Sequence, residues 1–128
     1  MSEEISKKSQ ELLERARKER GYILPEWEYV IKRDPAFFEA YNRLYEASMK
    51  DGKALPAKTR ELIAIALLAF RGDEGVLAHV KRALKLGATK EEILEAIETA
   101  LLPGGGPTFR VGLAALLKLE EEQPSRNL

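Results

Sequence analysis

Cysteine is missing from this chain of 128 residues, and histidine occurs once, as His79. The first absence excludes thiol redox chemistry, cysteine nucleophiles, iron–sulfur clusters and Cys-ligated zinc. The second excludes multi-histidine metal sites such as H-E-x-x-H. Neither sign of charge is in excess: 21 Lys and Arg balance 21 Asp and Glu, a net charge of zero. A dedicated binder of nucleic acid or of an anionic membrane carries a surplus of Lys and Arg, so neither partner is expected. The longest uninterrupted apolar run, Leu62 to Phe70, is far short of the roughly 20 residues that cross a bilayer. No apolar core of a signal peptide occurs in MSEEISKKSQELLERARKER, and the expected location is the cytoplasm. Serine nucleophiles are poorly placed, Ser48 being the only serine between Ser9 and Ser125.

What the chain does contain is helix. Hydrophobic residues make up 45% and charged residues 33%, the composition of a heavily charged helical protein of one ordinary domain. Ile5, Leu12, Leu13 and Ala16 form a narrow apolar stripe on a first helix that stops at Gly21, suited to lie on a surface or dock on a partner. A short helix follows from Pro25, with Trp27, Val30 and Ile31 on one face. Asp34-Pro35 reads as an N-cap and first-turn proline, with Phe37, Tyr41, Leu44 and Tyr45 behind it at helical spacing. The second half is greasier. Pro56 opens a helix that is apolar on every side from Leu62 onward, which predicts burial on all faces by this domain or another subunit. RGDEG, Arg71 to Gly75, is the turn after it, and the next helix places His79 beside Val76, Val80 and Ala83. Thr89-Lys90-Glu91-Glu92 has the capping-box pattern. Pro103 to Pro107 is expected to break the chain sharply before a last helix from about Thr108 to Glu121. No period-two strand pattern occurs. The expected fold is all-α with about six helices, a single domain over residues 1–122 and a flexible tail over 123–128.

Few residues can carry chemistry. The glycines at 104–106 lack the lysine of a phosphate-binding loop and the preceding strand of a dinucleotide site, and read as a turn that lets helices or subunits approach closely. The runs Glu91-Glu92 and Glu120-Glu121-Glu122 read as solvated helix faces, and no metal is expected. His79 has the one side chain that ordinarily titrates near neutrality. It is either a satisfied histidine at the edge of a core or a general acid–base, the latter needing a carboxylate close by. Glu61 is the best partner by position, being the last charged residue before nine apolar ones. It could equally be a first-turn glutamate paired with Lys58 or Arg60. Antiparallel helices about the RGDEG turn would offset Glu61 and His79 by roughly 10 Å along the axis, so a water, a substrate or a neighbouring helix is expected to bridge them.

From Leu55 onward the chain resembles the carboxymuconolactone decarboxylase and alkylhydroperoxidase D-like family. The pieces that carry the resemblance are LPAKTRELIAIAL at Leu55 to Leu67, HVKRALKLGATKEEILEAI at His79 to Ile97, and GGP at Gly105 to Pro107, about half of the chain together. Asp34, Pro35 and Tyr41 make a weaker match upstream. The thiol branch of that family has C-x-x-C-x-x-x-H at the turn into the histidine helix. Here Gly72 and Gly75 stand at the two cysteine positions, while His79 and, one residue closer, the upstream glutamate Glu61 are kept. A thiol peroxidase is therefore excluded.

The decarboxylase branch likewise lacks the cysteine pair and acts on a small carboxylated lactone with no metal or redox cofactor. Resemblance to it implies acid–base chemistry on a small organic acid or lactone, with His79 as general acid or base and Glu61 orienting it. Arg60 or Arg110 would hold a substrate carboxylate. Thr99 and Pro103 stand where that branch has a histidine and an aromatic. The alternative is a non-catalytic member, oligomeric or binding a small molecule. The family also implies a homo-oligomer, a trimer or hexamer, which agrees with an all-apolar helix and the small-residue segment GLAALL.

Overall fold

The structure, a computed structural model, describes residues 6–20 and 23–122. Ile5, the Gly21 helix stop and the tail from Gln123 lie outside the described residues. Those described form seven helices, one more than expected, and no strand. In chain order they are α1 (Lys7–Arg20), α2 (Pro25–Arg33), α3 (Pro35–Met49), α4 (Ala57–Arg71), α5 (Val76–Lys85), α6 (Lys90–Gly104) and α7 (Gly106–Glu122). They group into two compact units, Met1–Lys50 and Asp51–Leu128.

In the first unit the narrow stripe of α1 finds its partner within the chain. Leu12, Leu13 and Ala16 are buried with Ile31 of α2 and Phe38 of α3. Ser9 Oγ donates to the carbonyl of Ile31 at 2.7 Å, tying α1 to α2. Asp34 caps α3 as its spacing predicts, accepting from Phe37 N at 3.2 Å, with Pro35 in the first turn. Tyr41 stacks on Trp27 at 4.1 Å between ring centroids. Arg20 is buried, with its guanidinium 4.0 Å from the Tyr45 ring centroid and donating to Asn42 Oδ1. A cation so enclosed has exchanged water for ring faces and an amide.

In the second unit α4 packs against α5, α6 and α7. Ile65, Ala69, Val76, Val80, Ala83, Ile93, Ile97, Ala115 and Leu119 form the core between these helices. The helix opening at Pro56 has no side-chain cap of its own. Asp51 takes that role, accepting from Ala57 N at 3.1 Å. This bond and the nearby Arg60 charge help hold the Asp51 carboxyl below the usual aspartate range, the backbone bond counting most. The capping box at α6 is complete, Glu92 N donating to Thr89 Oγ1 at 3.0 Å and Thr89 N to Glu92 Oε1 at 2.9 Å.

The expected burial of α4, by this domain or another subunit, is not complete among the described residues, where Ile63, Leu67 and Phe70 are exposed at i, i+4 and i+7. Nor does the Pro-Gly segment break the chain from its first proline. Helix α6 continues through Pro103 to Gly104, and the break is concentrated at Gly105 (φ 79°, ψ −175°). A proline near the end of a helix forfeits one hydrogen bond but keeps a helical φ, whereas this Gly105 backbone is one that side-chain-bearing residues avoid. The glycines around it do permit close approach. A Cβ on Gly104 would stand 2.2 Å from Thr108 Oγ1, and one on Gly112 would stand 2.5 Å from Ile97 Cγ2.

Candidate functional site

Glu61 lies on the inward row of α4. Ala57, Glu61, Ile65 and Ala69 recur every four residues and all four are buried, so the periodicity that buries Ile65 buries the acid as well. Its side chain is 1% exposed. On α5, Val76, Val80 and Ala83 face the core, while His79 and Arg82 flank that row one turn apart. Their side chains are 24% and 19% exposed, so each reaches both the buried acid and the surface.

The acid meets both. Glu61 Oε2 lies 2.7 Å from His79 Nδ1, and Arg82 Nε donates to Glu61 Oε1 at 2.9 Å. Each carboxylate oxygen thus has one recorded partner. No water or bridging helix is needed between Glu61 and His79, contrary to the offset expected from helical rise. That offset left out the turn. Gly72 caps α4 in a left-handed conformation (φ 73°), and Asp73 N donates to the Leu68 carbonyl at 2.9 Å. The chain is already returning along α4 before α5 begins, and non-helical residues can advance by up to about 3.3 Å each rather than 1.5 Å.

The turn holds both glycines expected at lost cysteine positions. Gly72 supplies the positive φ, and Gly75 N donates to Asp73 Oδ1 at 2.7 Å at the start of α5. Lys58, offered by spacing as a partner of Glu61, instead pairs with Glu92 of α6 at 3.1 Å. Arg60 acts on Asp51 through its charge. Arg110 is exposed on α7. Neither is the guanidinium at the acid. Arg82 is, and sequence reading passed over it although its place three residues after His79 puts both on one side of α5. Thr99 and Pro103 have local roles: Thr99 Oγ1 donates to the Glu95 carbonyl at 2.8 Å, and Pro103 lies in the last turn of α6. Among the described residues no group of three or more His, Asp or Glu side chains converges as a metal site would require.

Comparison with known proteins bears on the family of the chain. The model of the carboxymuconolactone decarboxylase family matches residues 35–118. The chain belongs to that family. The carboxymuconolactone decarboxylase match starts at α3 and takes in the turn and all three residues of the Glu61 cluster. An uncharacterized protein of Cupriavidus necator is 40% identical over 57% of this chain, which spans 65% of that relative's length, just under two thirds. An uncharacterized protein of Methanocaldococcus jannaschii is also 40% identical, over 63% of this chain and 86% of its own. Among solved structures, a carboxymuconolactone decarboxylase family protein of Legionella pneumophila, in its apo form, is 35% identical. It covers 91% of this chain and 92% of its own, with a TM-score of 0.63. A Burkholderia xenovorans protein proposed to be a carboxymuconolactone decarboxylase shares the fold, with a TM-score of 0.75 at 23% identity over 94% of this chain and 99% of its own.

Proposed function

We propose that this family member is a cofactor-free acid–base catalyst acting on a small organic acid or lactone. The supporting observation is the buried carboxylate of Glu61 held 2.7 Å from the only histidine ring of the chain. Loss of carbon dioxide from a carboxylated lactone leaves an electron pair in the substrate that must be protonated. An imidazolium backed by a carboxylate gives that proton to carbon, and the neutral ring regains one from solvent before the next turnover. Glu61 fixes the orientation of the ring, and Arg60 or Arg110 would pair with the substrate carboxylate bidentately. Carbon dioxide release from a panel of carboxylated lactones and small organic acids tests this reading. Activity that falls in both His79→Gln and Glu61→Gln supports it, and activity equal to wild type in both overturns the site.

A second reading has one observation of its own. The exposed row of Ile63, Leu67 and Phe70 suits a face that a second copy covers. A non-catalytic, oligomeric member would keep that face and use the Glu61 cluster only to bind a small molecule or to hold α4 against α5. Both readings share a homo-oligomer, and the lactone assay separates them.

A further inference from the structure

We infer that Arg82 is a positioning residue that holds Glu61 as the carboxylate and thereby fixes the His79 ring with its proton on Nδ1, leaving Nε2 as the nitrogen that works. The inference deepens the acid–base reading above by naming that nitrogen. A buried carboxylate without a cation would take up a proton. Arg82 is permanently charged, and its Nε reaches Glu61 Oε1 at 2.9 Å. An ionised carboxylate can only accept, so the 2.7 Å contact with Oε2 requires the proton on His79 Nδ1. Nε2 is then the nitrogen left to exchange a proton with substrate.

Among the described residues the neighbouring charges have partners of their own. Of the described residues, Glu61 from α4 is the ionisable group in contact with it. From α7, Glu122 faces Lys81 of α5 at 2.9 Å, and Glu120 faces Lys90 of α6 at 2.7 Å. From α6, Glu92 faces Lys58 of α4. In the turn, the Asp73 carboxylate accepts from Gly75 N. Without Arg82, the His79 imidazole is the group among the described residues that touches Glu61 and can carry a positive charge.

Nitrogen-detected NMR of the histidine ring reads this directly, since one histidine needs no assignment. Above its titration the wild-type ring should carry its proton on Nδ1. Arg82→Gln should move the ring's midpoint upward by about one pH unit or more, and Arg82→Lys should restore most of the change. A wild-type ring protonated on Nε2, or a midpoint unmoved in a folded Arg82→Gln, overturns the inference. Should Arg82→Gln not fold, the wild-type tautomer alone decides. Lactone turnover plays no part in this test. Inactivity with an Nδ1–H ring defeats the proposed function and spares Arg82, while turnover that needs His79 and Glu61 with an Nε2–H ring does the reverse.

Discussion

Glu61 of α4 and His79 of α5, 18 residues apart in the chain, meet at 2.7 Å with the acid almost wholly shielded from water. The acid also takes the Arg82 guanidinium. Its replacement therefore disturbs three groups at once.

Glu61→Gln keeps the shape but removes the charge that Arg82 and His79 address. A half-buried guanidinium left without its carboxylate should cost about 1–3 kcal/mol, visible as a lower urea midpoint. If the site is catalytic, turnover should fall by about a hundredfold or more.

The turn between α4 and α5 makes a different prediction for each glycine. Gly72 has φ 73° with open space around its missing Cβ, whereas a Cβ on Gly75 would lie 3.0 Å from Asp73 Oδ1. Gly72→Ala should cost about 1–2 kcal/mol from backbone strain alone. Gly75→Ala should cost less, because the Asp73 carboxylate can shift by a few tenths of an ångström. A cysteine at 72 would meet the same strain. Equilibrium unfolding of the two alanine variants checks the order.

Gly112 of α7 lies against Ile97 of α6, and a Cβ there would meet Ile97 Cγ2 at 2.5 Å, Cγ1 at 2.8 Å and Cδ1 at 3.0 Å. Ile97 is fully buried. Gly112→Ala should therefore destabilise by about 1–3 kcal/mol despite its better helix propensity. Combined with Ile97→Ala it should cost less than the sum of the two single changes, as expected for residues in contact.

The start of α6 should be sensitive to acid. The Thr89 backbone N–H, and after it the Lys58 ammonium, hold the Glu92 carboxyl below the usual glutamate range. A carboxyl depressed by folding contributes stability that is present above its unfolded value and lost as pH falls through its folded one. Glu92→Gln should flatten that acid limb of a stability–pH curve. Thr89→Ala should cost about 1 kcal/mol at neutral pH.

The exposed face of α4 bears on assembly. If a second copy covers it, Leu67→Glu or Phe70→Glu should reduce the mass measured by light scattering while the helical circular dichroism signal is kept. An unchanged mass in both would place any oligomer contact elsewhere.

Much of this protein was legible because its signals are local. The Asp34 cap, the Thr89–Glu92 box and the turn at Gly72 each depend on residues within a few positions of one another. Glu61 remained open between a buried acid and a first-turn surface glutamate, and its step with Ile65 and Ala69 is what buries it. The family resemblance rested on a run of such local features.

The sequence by itself determined that the chain is helical, that it holds no thiol, and that one histidine and a candidate acid partner, Glu61, are its main acid–base groups. Those properties follow from composition and from a period of 3.6. Only the tertiary structure decided that the two meet directly, that Arg82 rather than Arg60 or Arg110 completes the cluster, and that Ile63, Leu67 and Phe70 of α4 are exposed. Each of these depends on how far a turn carries the chain and which side chains cross between helices. Those distances are set by packing rather than by spacing along one helix.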